Sequence, residues 1–138
     1  MKKSVFIDSD VFLDVALDRS PFVNSSELIL DHVFLKKANA FTSPLIIANL
    51  YYIVSKNATS FKAKQFIKII ESKIEILPID KVIVHRALNS EIKDFEDALQ
   101  YFCAAEGGVD YIITRNKKDY PESKIHVVSP VEFLENHA

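Results

Sequence analysis

Asp8, Asp10, Asp94, Asp97 and Asp119 are the residues of this 138-residue chain whose type and spacing could do chemistry. Carboxylates placed together repel, and their pKa values rise unless a cation neutralises them. Magnesium or manganese does so with hard oxygen ligands and retained waters. The vacant positions of such a cation accept phosphate oxygens, and the metal activates water. The expected chemistry is metal-assisted hydrolysis of a phosphate, provided that the fold brings the acids to one place.

Placing them requires the elements. Strand-like and helix-like stretches alternate along the chain, which predicts an α/β fold with a parallel sheet. Ser4 to Ile7 reads as a buried strand that delivers Asp8 at its end. A short helix follows over Val11 to Leu17, and Arg19-Ser20-Pro21 breaks it. Asn24, Ser25 or Ser26 caps a helix running to about Lys37. Phe41 and Thr42 form a short strand. Ser43-Pro44 starts a helix over Leu45 to Lys56. Ser60 caps another, with Ala63, Phe66, Ile67, Ile70 and Ile74 on one face. Ile74 to Leu77 is a strand, and Asp80 caps a helix to about Leu88. Asp94 begins a helix that Gly107-Gly108 stops at Glu106. Tyr111 to Thr114 is a strand, Lys118 to Pro121 a turn, His126 to Val128 a last strand. Pro130 opens the C-terminal helix.

In a parallel sheet, helices that follow one strand or precede another begin at the strands' carboxyl edge. Ligands sit beyond that edge. Asp8, Asn49 one turn into its helix, the Asp94/Asp97 helix start, and Thr114, Arg115, Asn116 and Asp119 are therefore expected to meet. Asp94 and Asp97 share a helix face. The plain alternative makes Asp94 an N-cap and Asp97 a partner of the helix dipole.

Composition narrows the classes. Hydrophobic residues make up 49% and charged residues 26%, a balance that fits one globular domain over residues 1–138. The net charge of -2 gives no overall field toward nucleic acid, so such a role needs local cations or bridging metal. Two adjacent glycines cannot build a phosphate loop. Cys103 is the single cysteine, so no internal disulfide forms. No signal-like or membrane-spanning stretch is read, and a cytoplasmic protein is expected.

VFIDSDVFLD at the start, DFEDALQYFCAA at Asp94 to Ala105, and IITRNKKDY at Ile112 to Tyr120 together resemble the PIN-domain family. The closing SPVEFL resembles a bacterial, VapC-like subgroup. The resemblance implies a three-layer α/β/α sandwich around a parallel sheet. It implies a Mg²⁺- or Mn²⁺-dependent ribonuclease, commonly the toxin of a toxin–antitoxin pair. It implies an RNA substrate, an antitoxin partner and often a homodimer. Asp8 matches the family's first acid and Asp97 the acid of the late helix. Asn116 and Asp119 both match the fourth acidic position, and Asp119 is preferred for its charge. Ser9 and Thr114 match supporting hydroxyls, and Asp10 stands where asparagine is frequent. Asn49 stands where the family usually has glutamate; its amide oxygen can coordinate a metal but adds no charge. The expected metal set is Asp8, Asp97, Asp119 and Asp94, with Asn49 in the catalytic group. Arg115, Lys117 and Lys118 are expected to hold RNA phosphates.

Two other readings compete. FIDSD also resembles the start of haloacid-dehalogenase-type phosphatases, with Asp8 as nucleophile and Asp10 as general acid. That chemistry needs a lysine and an acidic pair just after a strand, whereas Asp94 and Asp97 open a helix. Asn49 motivates the other: a PIN-like module that binds RNA or protein with a weakened site. Asp14 and Asp18 are read as surface or cap residues, Tyr51 and Tyr52 as core. Lys62, Lys64 and Lys68 are read as a solvated face, Cys103 as packing.

Overall fold

A computed structural model describes residues 2–121 and 123–137. Its apolar strands are the parts that leave water most completely. β1 (Ser4–Ile7) carries Val5, Phe6 and Ile7 fully buried, and β4 (Tyr111–Ile113) carries Ile112 and Ile113 fully buried. Strands buried on both faces read as continuous apolar runs, and these two stand side by side at the centre. The sheet is parallel, with order β3-β2-β1-β4-β5. β2 spans Asn39–Thr42, β3 Glu75–Ile76 and β5 His126–Val128.

The helices are α1 (Ser9–Ala16), α2 (Val23–Phe34), α3 (Pro44–Asn57), α4 (Ser60–Lys73), α5 (Lys81–Leu88), α6 (Phe95–Glu106) and α7 (Pro130–His137). From β1 through β2 to β3 the chain steps one way along the sheet. From β3 it returns past β1 to β4 and steps the other way. Right-handed crossovers then put the two sets of helices on opposite faces. Packing agrees: α1 touches α2 and α3, α3 touches α4, α2 touches α7, and α5 packs on α6. The three-layer α/β/α expectation is borne out. The strand order reverses between β1 and β4 while every strand stays parallel, and there the crevice for a ligand opens. Among the described residues, no helix is long and apolar enough to cross a membrane.

Several boundaries differ from expectation. α1 starts at Ser9 rather than Val11, because Asp8 itself caps it by accepting from the Ser9 N–H. α2 starts at Val23 without a side-chain cap, so Asn24, Ser25 and Ser26 lie inside it. α2 also stops at Phe34, before the expected Lys37, with Lys36 at φ 59° just beyond. Thr59 rather than Ser60 caps α4, accepting from the Lys62 N–H. β3 is shorter than Ile74 to Leu77. Ser43, Asp80 and Asp94 do cap their helices. Gly107-Gly108 does stop α6: Gly108 sits at φ +68°, and a Cβ on Gly107 would meet Leu77. Tyr51 and Tyr52 are exposed, not core.

Asp14 is fully buried, a correction of its surface assignment. Its oxygens accept from Arg115 Nε at 2.8 Å and Nη2 at 3.0 Å, and from the Ser26 hydroxyl at 3.1 Å. The guanidinium also lies over the Phe22 ring, 3.9 Å from its centroid. Ser26 faces this pair instead of capping α2. The ion pair thus ties α1, α2 and the end of β4 together. A buried pair adds little net stability, but removing one partner leaves an uncompensated charge. Arg115→Ala is therefore expected to destabilise the fold by about 3 kcal/mol or more. Urea unfolding measures this directly; an unchanged midpoint at constant m-value would refute it.

Candidate active site

The site is built on the ends of β1 and β4. The Asp8 N–H donates to the Ile113 carbonyl at 3.1 Å, so the first acid leaves the sheet while still tied to the neighbouring strand. One Asp8 carboxylate oxygen takes the Ser9 N–H at 2.8 Å. The other takes the Thr114 hydroxyl at 3.0 Å and the Tyr120 hydroxyl at 3.0 Å. The Thr42 hydroxyl donates to the Ile7 carbonyl at 3.3 Å, fixing the same turn from β2. Burial still wins at Asp8: its pKa is raised, with these donors opposing and the Asp119 charge adding to the rise.

Asp10 sits one turn of chain away, buried. Its Oδ2 accepts from the Arg115 N–H at 3.0 Å, the Asn116 side-chain amide at 3.1 Å and the Thr114 hydroxyl at 3.2 Å. Its Oδ1 is buried with no partner. A threonine hydroxyl has one proton, so Thr114 donates to Asp8 or to Asp10 but not to both. Desolvation and the Asp8 charge push the Asp10 pKa to about 6. Asp10 therefore clamps the 114–116 turn to the end of β1. The Asn116 amide is committed to Asp10, which leaves Asp119 as the free acid of this segment. Ser9 contributes its backbone N–H.

The remaining acids come from the start of α6 and the 3-10 turn Lys117–Asp119. Asp94 caps α6, accepting from the Asp97 N–H at 2.9 Å, so the cap reading of Asp94 holds. Asp97 is pushed to about 7, first by burial and then by the charges of Asp94, Asp119, Asp8 and Glu96. Asp94, Asp97, Asp119, Lys118, Tyr101 and Tyr120 help to line a cleft of about 770 Å³. Asp8 is not among its walls, but Tyr120 is and donates to it. Burial first, then the Asp8 charge, raises the Tyr120 pKa, which keeps its hydroxyl a donor.

Asn49 reaches across from α3. Its side-chain N–H donates to the Glu96 carboxylate on α6. Close by in sequence, the buried Ser43 hydroxyl donates to the buried Gln100 side chain, so two contacts hold α3 to α6. The basic residues divide. Arg115 is bound to Asp14, Lys117 pairs with Glu132 at 2.9 Å, and Lys118 faces the cleft. Tyr120, Glu96, Gln100 and Asp14 were not expected as parts of the site, and Arg115, expected to hold RNA phosphate, is instead bound to Asp14. Tyr120 closes the quoted IITRNKKDY stretch and Glu96 lies within DFEDAL, so their positions were the available signal.

Whether these residues suit a divalent cation depends on the donors. All are carboxylate or amide oxygens without sulfur or imidazole, the hard set that magnesium and manganese take while keeping waters. Among the described residues, no three Asp, Glu, His or Cys side chains are grouped closely enough to hold a metal ion as they stand. What favours an ion is therefore the type of these donors and the mutual repulsion of the acids. Their chemistry fits such an ion.

A family model described as "PIN domain" matches residues 4–118. Ribonuclease VapC1 of Aquifex aeolicus is 30% identical over 96% of this chain and 94% of its own. A toxin-antitoxin complex from Klebsiella pneumoniae aligns with a TM-score of 0.68 at 20% identity, over 91% of this chain and 97% of that one. Mycobacterium tuberculosis VapC20, described as a Sarcin-Ricin loop cleaving toxin, aligns with a TM-score of 0.65 at 10% identity, over 78% and 86%. At these identities the two structures speak for the fold alone.

The raised acids set a pH dependence. Asp97 and Asp10 titrate higher in the folded chain than unfolded, so their protonated forms favour folding. That contribution is full below about pH 4, the unfolded carboxylate range, and is lost as pH rises through about 6 for Asp10 and about 7 for Asp97. In chelator, Asp97→Asn is therefore expected to raise the melting temperature at pH 8 more than at pH 5. Equal shifts at both values would refute the raised pKa of Asp97.

Proposed function

The chain belongs to the PIN-domain family, as a VapC-type toxin ribonuclease of a toxin–antitoxin system, and we propose that it works as a divalent-cation-dependent endoribonuclease. Asp8, Asp97 and Asp119 would hold Mg²⁺ or Mn²⁺. The observation that carries this reading is the carboxyl of Asp97. Burial first, and then charges from α6, from the Lys117–Asp119 turn and from the end of β1, push it to about 7. Acids brought that close by three separate segments need a cation at neutral pH.

When bound, the cation polarises the scissile phosphate and lowers the pKa of the attacking water. The chain's own residues do the rest. Ser9, Thr114 and Tyr120 orient Asp8 and favour its charged form. Asp10 fixes the turn that carries Thr114 and leads to Asp119. Lys118 offers an RNA phosphate a counter-charge in the cleft. Lys117 and Arg115 are held by Glu132 and Asp14, which largely offset their charges. Its partner would be a protein antitoxin, as membership of a toxin–antitoxin family implies. The phosphatase alternative gains nothing from the geometry. Its general acid, Asp10, is buried with three donors on one oxygen.

Asp8→Asn and Asp97→Asn are each expected to lower cleavage of a susceptible RNA by about a hundredfold or more, the scale of a lost acid–base or ligand group. Chelation should abolish cleavage, and Mn²⁺ should restore it in the wild type alone. Full activity in both variants and in chelator would rule the mechanism out.

A further inference from the structure

The side chain of Asn49 is turned toward α6, with its N–H on the carboxylate of Glu96. An amide donates where a carboxylate cannot. Two ionised acids in that contact would repel, so positions 49 and 96 can hold one acid and one donor but not two uncompensated acids. In this chain the acid stands at 96. Glu96 is also in the first turn of α6, where the helix dipole favours a negative charge. Its charge is one of those that raise Asp97. Among the described residues it makes no other hydrogen bond and no salt bridge, so no cation neutralises it. The buried Ser43–Gln100 contact fixes the start of α3 against α6 and so sets how Asn49 meets Glu96.

Resting on the nuclease reading, we propose that Glu96 supplies the metal-site carboxylate that position 49 lacks, and that Asn49 is its positioning residue. The amide aims the carboxylate without removing its charge. The asparagine on α3 then marks an acid relocated across the α3–α6 seam rather than a weakened site.

Calorimetric Mn²⁺ titration, RNA cleavage and thermal melting of the full chain test this together. Glu96→Gln is expected to weaken Mn²⁺ binding and cleavage by roughly tenfold or more, with the melting temperature in chelator no lower than wild type. Asn49→Ala should weaken Mn²⁺ binding by roughly tenfold while the melt is kept, since a carboxylate losing its orienting partner loses affinity. The exchange Asn49→Glu with Glu96→Gln should return both Mn²⁺ binding and cleavage toward wild type. If Glu96→Gln binds Mn²⁺ as the wild type does while Asp8→Asn does not, the Glu96 assignment is overturned and the nuclease reading stands. If the wild type binds no Mn²⁺ and cleaves no RNA, the nuclease reading falls and takes this one with it.

Discussion

Like charges gathered at one edge of a sheet repel, and nearly every polar contact at this site answers that repulsion. Asp8 is met by a backbone N–H and two hydroxyls. Asp10 is met by a backbone N–H, an amide and a shared hydroxyl. Glu96 is met by an amide. These donors are neutral. They lower the cost of ionisation without cancelling charge, which keeps the cluster attractive to a cation. Where the chain does use a full positive charge, at Arg115, it is directed to Asp14 and away from the cluster.

The scaffold makes such crowding tolerable. β1 and β4 are the most deeply buried strands, and their ends carry Asp8 and Thr114. A hydrogen bond from Asp8 to Ile113 keeps the two ends in register. The 114–116 turn is held by Asp10 and by the Arg115–Asp14 pair, so it is fixed from both α1 and the sheet. Carboxylates set on rigid elements cannot drift apart or out into water, so burial first and repulsion second keep their pKa values raised.

What the sequence disclosed follows from range. β1, β4 and α6 were legible because each is a local pattern: an apolar run, a capping acid, a glycine stop. Their convergence was legible because crossover handedness is a rule of topology. Asp14 was not. One acid in DVFLD looks like any surface acid, and its partner Arg115 is 101 positions away. Tyr120 meets Asp8 from 112 positions away, and no local pattern announces that. Glu96 was hidden by its neighbour, since Asp97 already filled the expected acid of the helix. The α2 cap failed for a related reason. Ser26 looked like a local cap but was taken by a tertiary contact to Asp14.

The electrostatics of the cleft also constrain how RNA can enter. Lys93 and Lys118 line it against Glu91, Asp94, Asp97 and Asp119, and the chain as a whole carries -2. A polyanion approaching these walls meets net repulsion, and affinity for nucleic acid ordinarily comes from cations on phosphates. Arg115 and Lys117, on the same segment as Lys118, are already paired. Positive charge beyond Lys93, Lys118, Arg115 and Lys117 is needed to hold a polyanion there. On the proposed reading, a divalent ion held by Asp8, Asp97, Asp119 and Glu96 would supply it. Binding and chemistry then draw on the same ion, and the crowded acids that look unfavourable alone become the means by which an acidic surface can hold RNA.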